Sequence, residues 1–434
     1  MHQAGPPISL DELRAAIPEG GLFQGKTWRF GPEPFPLAAE DVALIRELGP
    51  ALLEFLKAIN SLYYTTETKL KYVREILDTG KPEWLIALHD SMPIREIYPQ
   101  LLRPDLLLTP GGLKMTEIDS IPGGIGVMDF LNKQYREKGF KVIAGSNSIG
   151  KFFVDSNIRF VFSEEACAYR PEIEWMLRNA TGTNSQHTFL ETDLTEDALK
   201  NLQNREIYRY FELWDDELSP SARKLLDMCA KGEVLLTPPP KAFFEEKLLL
   251  AFYWDPFLRS YWQGALSAKA KEILDQVIPF GWVMTTRKLP PHAVFPKLEV
   301  WNLKEIKSFS QKDRRLALKI SGFSKQAWGS RGVYIGHDLS TAEWSKQVDR
   351  ALDSFDSNPY ILQEFQPSRI VTNRYFTESG ATIDEKGVVR LSPYYLIANN
   401  SVELNGVLAV VCPPDKKKIH GMNDATFLPC QEMP

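Results

Sequence analysis

The chain has 434 residues, 44% of them hydrophobic and 25% charged, which is the range of ordinary globular proteins and excludes a fibrous repeat or a disordered chain. This length exceeds one compact core, so two or three packed units are expected. A net charge of -5 speaks against a nucleic-acid partner, because neutralising phosphates takes a clustered basic surface.

Cys167, Cys229, Cys412 and Cys430 are far apart and form no Cys-x-x-Cys pair. Neither a zinc ribbon nor a disulfide framework is expected, and a reducing, cytoplasmic setting fits best. The first residues lack the basic and apolar regions of a signal peptide. The longest apolar run, 248–254, is far short of the roughly 20 residues that cross a bilayer, so no membrane partner is expected.

In chain order, apolar residues such as Val42, Ile45, Leu48, Leu52 and Phe55 recur at helical steps, and residues 1–100 are expected to form a helical N-terminal layer. Two short apolar runs in 101–119 flank Pro110-Gly111-Gly112, the punctuation of a hairpin; with a helix predicted over 127–139 this makes a segment 101–140. Strands predicted at 157–163, 187–191 and 207–214 alternate with helices, one starting near Pro171. Segment 141–225 is therefore expected to be an α/β unit with a mainly parallel sheet. Pro238-Pro239-Pro240 reads as a stiff connector within the last segment, 226–434. There, helices are predicted at 242–253 and 265–276, and strands at 315–321, 332–336, 360–365, 375–383 and 388–397.

The hairpin carries the densest chemistry. With a three-residue loop 110–112, Thr109 faces Leu113, Asp105 faces Glu117, and Arg103 faces Asp119, because antiparallel partners separate symmetrically. Side chains two apart on a strand share a face, so three carboxylates and one guanidinium project together. Opposed like charges call for a cation, and oxygen ligands without histidine or cysteine suit Mg²⁺, with Mn²⁺ as an alternative. The other reading is a solvated hairpin end in which Arg103 pairs locally with Asp105 or Asp119.

In 315–321, Leu316, Leu318 and Ile320 alternate with Lys319, which lies on the opposite face beside Ala317 and Ser321. Gly329-Ser330-Arg331-Gly332 follows, and glycines let backbone N–H groups converge on an anion. An edge-strand lysine followed by an ordinary glycine turn explains the same residues. No Walker loop or Gly-x-Gly-x-x-Gly turn is present. Gln363 and Glu364 fall on a strand that suits either an adenine edge or plain core. The six histidines show no metal-ligand spacing and are expected at the core edge or surface.

Taken in order, these pieces resemble the circularly permuted ATP-grasp enzymes of the glutathionylspermidine synthase type, over roughly residues 100 to 400 and in the synthetase part only. The family's Arg-x-Asp strand and Glu-x-Asn strand with a Pro-containing turn look like Arg103-Pro104-Asp105, then Glu117-Ile118-Asp119 and Ile121-Pro122-Gly123. Its Tyr-Arg-x-Phe-Glu-Leu strand resembles Tyr208-Arg209-Tyr210-Phe211-Glu212-Leu213, and its Ser-Asn-Lys helix resembles Glu245-Glu246-Lys247. The Lys-Pro strand, Arg-Glu-Gly loop and Val-Gln-Glu strand look like Lys319-Ile320, Gly329 to Gly332, and Leu362-Gln363-Glu364.

The resemblance implies an α/β (α+β) ATP-grasp fold, circularly permuted, with a pre-ATP-grasp-like α/β substrate unit at 141–225 and nucleotide-binding subdomains at 226–434. It implies ATP and Mg²⁺ as cofactors, with Asp105, Glu117 and Asp119 holding metal. Arg103, Lys319 and Arg331 are implied to be catalytic, Arg103 on the γ-phosphate or acyl phosphate. Lys247, Lys319, Gly329, Ser330, Gly332, Gln363 and Glu364 are implied to bind nucleotide. The implied activity is ATP-dependent carboxylate–amine ligation through an acyl phosphate, with a small-molecule or peptide carboxylate and an amine as partners. Asp119 for asparagine, Ile320 for proline and Glu245-Glu246 for Ser-Asn depart from the pattern. They keep a degenerate nucleotide- or peptide-binding protein open as a second reading, beside an ATP-grasp phosphotransferase.

Overall fold

A computed structural model describes residues 8–24, 28–119, 121–183, 187–214, 218–286, 294–419 and 424–433, with only the backbone element given for 328–330. The chain divides into two compact units, one of 1–50, 90–240 and 367–434, the other of 51–89 and 241–366. The boundary at Pro50 falls inside the helix Ala39–Tyr63, at a residue with no N–H for the helical ladder.

In the first unit, a mixed sheet orders its strands as Phe35–Leu37, Thr426–Glu432, Ser401–Cys412, Thr382–Ala398, Leu101–Thr109 and Gly112–Asp119. Val371–Phe376 also pairs with Thr382–Ala398. The strand expected at 375–383 is thus a turn between two strands: Glu378-Ser379-Gly380 supplies turn residues, and the Thr377 N–H reaches the Ala381 carbonyl. Ser401–Cys412 escaped the sequence reading because its residues 404–412 are all buried and carry no alternation to reveal it.

The second sheet of this unit runs Thr188–Leu190, Arg159–Phe162, Glu206–Tyr210, Leu235–Thr237, every pair parallel. Parallel pairing follows from the intervening helices, such as Arg170–Thr181, which opens with Pro171. Arg209 is fully buried at the end of this sheet, where its guanidinium donates to the carbonyls of Phe211, Pro238 and Pro239. It fastens one strand to the connector that follows its neighbour, so the proline run is clamped by this contact.

The second unit has an antiparallel sheet ordered Val333–Ile335, Leu316–Ile320, Tyr360–Glu364, Gly281–Met284. The alternation expected around Lys319 is present: Leu316, Leu318 and Ile320 join Trp282, Met284, Tyr360 and Leu362 in a core with Trp344, Val348 and Leu352. The last three lie on the helix Thr341–Asp353, opened by a capping box between Ser340 and Glu343. Lys319 is left on the other face. In the same unit His89 is fully buried, contrary to the expected core-edge or surface position: its Nε2 accepts from the Ala242 N–H, and its Nδ1 lies 3.1 Å from the Tyr63 hydroxyl.

No helix among the described residues is long and apolar enough to cross a membrane. One buried acid sets a pH response. Asp129, 6% exposed on the helix Ile125–Glu137, has an oxygen with no hydrogen-bond partner among the described residues, and burial pushes its carboxyl up from 3.8 to about 7. A raised pKa means that the folded state holds the proton more tightly, so this contribution is complete below pH 3.8 and is lost as pH rises through about 7. Asp129→Asn is expected to raise stability at pH 8 by on the order of 1–3 kcal/mol while changing little at pH 4, as read by urea unfolding at the two pH values.

Candidate functional site

The hairpin turn is tighter than expected. Thr109 faces Gly112, not Leu113, and only Pro110 and Gly111 lie between the paired residues. On that register Glu117 would miss Asp105 by one residue. A bulge at Thr116 absorbs the slip, its hydroxyl donating to the Asp105 carbonyl at 3.1 Å, and beyond it Asp105 faces Glu117 and Arg103 faces Asp119. The four charged side chains therefore share a face as anticipated, by two changes that cancel.

Arg103 pairs with Asp105 and Asp119, as the local-pairing reading of the hairpin expects, and a second arginine joins them. Asp105, 1% exposed, places one oxygen 2.9 Å from Arg390 Nη1 and the other 3.2 Å from Arg103 Nε, and Ser392 donates to it at 2.8 Å. Both oxygens of Asp105 thus face arginine, and one of them also the Ser392 hydroxyl. Among the described residues no three His, Cys, Asp or Glu side chains are grouped to hold a metal. Arg390 and Ser392 were missed; they come from Thr382–Ala398, whose Leu391 faces Leu106, and are recognisable only once that strand is paired with the hairpin.

Arg103, 8% exposed, also donates to Asp119 at 2.5 Å and to the Gly123 carbonyl at 3.0 Å. Burial works against its charge, but Asp105, Asp119, Tyr394 and Glu117 outweigh it and push its pKa up. Asp119 is raised by burial, with Arg103 opposing and Asp105 and Glu117 repelling. Its second oxygen accepts from the Ile121 N–H at 3.1 Å. Glu117 is half-buried. The Gly123 carbonyl takes a second donor, the Tyr394 hydroxyl at 2.9 Å, and a Cβ at Gly123 would lie 2.1 Å from the Tyr169 ring, so only glycine fits there.

The N-terminus of the helix Ile125–Glu137 is filled from within. Glu172 accepts the N–H groups of Gly124, Gly126 and Val127 at 2.8 to 3.0 Å, which supplies the anion that a helix start favours. Burial pushes its carboxyl up to about 7 against those three bonds.

In the second unit, Lys319 is 8% exposed and donates to Gln363 Oε1 at 2.8 Å. Gln363 is 2% exposed, and its amide nitrogen has no partner among the described residues. Lys247 Nζ is 3.4 Å from the Ser321 carbonyl, at the end of the same strand. Glu364 pairs with Lys297 at 2.9 Å, and that ammonium lies 4.4 Å from the Phe280 ring centroid. In the proposed glycine loop, Lys325–Ser330 is a 3-10 helix, and Gly332 is close-packed, a Cβ there falling 2.4 Å from Ile320 Cγ2. Arg331 is exposed. Beyond the backbone element, Gly329 and Ser330 lie outside the described residues.

With this geometry in place, likeness to known proteins can be judged. No protein-family model and no curated protein matches the sequence. A glutathione synthetase-like effector from Globodera pallida, solved in the apo form, aligns over 96% of this chain and 94% of its own at TM-score 0.56 and 10% identity. The chain shares that protein's fold. A carboxyaminoimidazole ribonucleotide synthase from Aspergillus clavatus, complexed with ATP, aligns over 68% of this chain and 69% of its own at 13% identity, but its TM-score of 0.25 carries no argument.

The arginine clamp has a direct test. Removing one partner of a buried ion pair leaves the other uncompensated, so Arg390→Met is expected to cost about 3 kcal/mol in urea unfolding. Adding Asp105→Asn should recover part of the loss, because a neutral amide no longer needs the second guanidinium.

Proposed function

We propose that the protein is an ATP-dependent carboxylate–amine ligase of the ATP-grasp type. Lys319 carries this reading: a buried ammonium beside Gln363, whose amide nitrogen has no acceptor among the described residues. An unsatisfied buried donor costs about 1–3 kcal/mol, and a nucleotide offers ring nitrogens and oxygens to meet it. The fold shared with a glutathione synthetase-like effector supports the same scaffold.

In this reading Lys319 and Lys247 meet the phosphates, and Gln363 and Glu364 line adenine and ribose. Gly329, Ser330, Arg331 and Gly332 belong to the segment over the triphosphate. The γ-phosphoryl group passes to a substrate carboxylate, giving an acyl phosphate and ADP; an amine then attacks the carbonyl, releasing inorganic phosphate and forming an amide. Arg103 would offset charge on the acyl phosphate. Such chemistry asks for positioned positive charge more than for acid or base groups. Magnesium commonly uses one or two carboxylates and completes its shell with water and phosphate; in this reading Glu117 and Asp119 hold it, Asp119 exchanging its Arg103 contact for the ion. Bound there, the ion would neutralise phosphate charge.

A second reading, a nucleotide-binding protein without turnover, is favoured by Arg103, whose guanidinium is already engaged by Asp105, Asp119 and the Gly123 carbonyl. Thermal unfolding with Mg-ATP and ADP release with panels of acids and amines separate the two. The ligase reading expects a rise in Tm with Mg-ATP and ADP release that needs both an acid and an amine. Stabilisation with no turnover for any pair would favour the binder. Lys319→Met and Glu117→Gln are each expected to weaken Mg-ATP binding at least tenfold; unchanged affinity removes the corresponding assignment.

A further inference from the structure

Of the two residues that replace the resembled Ser-Asn pair, Glu246 sits in a buried network. Glu246, 5% exposed, forms an ion pair with Lys81, 7% exposed, at 2.5 Å, and Lys81 also donates to the Leu77 carbonyl. The second carboxylate oxygen of Glu246 accepts from the Ser321 hydroxyl. That hydroxyl in turn accepts from the Leu248 N–H at 3.0 Å, while the Ser321 carbonyl receives Lys247 Nζ at 3.4 Å.

Ser321 is fully buried and is the last residue before the segment 322–332. Its own N–H donates to the Pro359 carbonyl at 2.9 Å, and at the far end of the segment the Gly332 carbonyl accepts from the Ile320 N–H at 3.0 Å. Ser321 also follows Lys319 by two positions, the spacing that keeps side chains on one face of an extended strand. One carboxylate therefore reaches the start of the segment, the residue whose carbonyl receives Lys247, and the end of the strand bearing Lys319.

A buried ion pair is rarely the most stable filling for its space; apolar residues of similar volume often do as well or better. Lys81 and Glu246 thus call for a role beyond stability, and the shared contact at Ser321 supplies one. We propose that Glu246 is a positioning residue: acting through Ser321, it fixes the start of segment 322–332 and sets Lys247 and Lys319 for a triphosphate before nucleotide arrives. The proposal rests on the nucleotide reading given above.

The test compares Mg-ATP and adenosine affinity by calorimetry, and amide hydrogen exchange over 322–332 without nucleotide, in the full chain. Ser321→Ala is expected to weaken Mg-ATP about tenfold, to leave adenosine within about twofold, and to speed exchange in the segment. Lys81→Met with Glu246→Leu, which removes both charges and so protects folding, should reproduce all three effects. Lys81→Met with Glu246→Gln keeps an oxygen for Ser321 and should return Mg-ATP affinity toward the wild-type value. Unchanged Mg-ATP affinity in the first two variants, or equal losses for ATP and adenosine, overturns the proposal. A wild type that binds neither ligand overturns the nucleotide reading itself, and the exchange comparison alone then decides whether Glu246 anchors the segment.

Discussion

The first unit is organised around a carboxylate buried between two guanidiniums. Asp105 is held by Arg103 from its own strand and by Arg390 from the neighbouring strand, with Ser392 as a further donor. A charge this deep is tolerated only when paired and hydrogen-bonded, so the contact ties Thr382–Ala398 to the hairpin in one register. From Arg103 the constraint passes to Asp119 and to the Gly123 carbonyl, which Tyr394 also holds. The turn leading into the helix Ile125–Glu137 is thereby fixed, and Glu172 closes the helix start.

The sheet of the second unit has two unlike faces. One face is apolar and packs on the helix Thr341–Asp353; the other carries Lys319 and Gln363. Period-two alternation makes both possible in one short strand, because adjacent residues point to opposite sides. Glu246, Lys81 and Ser321 meet at the end of that strand through buried polar contacts.

The alternation around Lys319 and the hairpin acids was legible because both follow from local periodicity. The turn was misjudged by one residue, and the bulge at Thr116, which depends on a hydroxyl meeting a carbonyl across the strands, restored the facing of Asp105 and Glu117. Gly332 has a packing reason to be glycine that the sequence does not show, its contact with Ile320. The departure Glu245-Glu246 also changes meaning. Alone it weakened the nucleotide assignment; folded, Glu246 has a partner in Lys81, 165 positions away in the chain.

The sequence by itself determined the mixed α/β character, the parallel strands between residues 157 and 210, the shared face of Arg103, Asp105, Glu117 and Asp119, and the side of its strand on which Lys319 lies. These rest on spacing within a few residues, where backbone geometry alone dictates direction. Tertiary structure decided what those charges meet. Ser392 reaches Asp105 from 287 positions away, with Arg390 beside it, and Lys81 reaches Glu246 from another segment, through strand pairing and burial that no local pattern encodes. Opposed carboxylates call for a cation, and strand pairing brings Arg390 to Asp105 beside the hairpin's own Arg103.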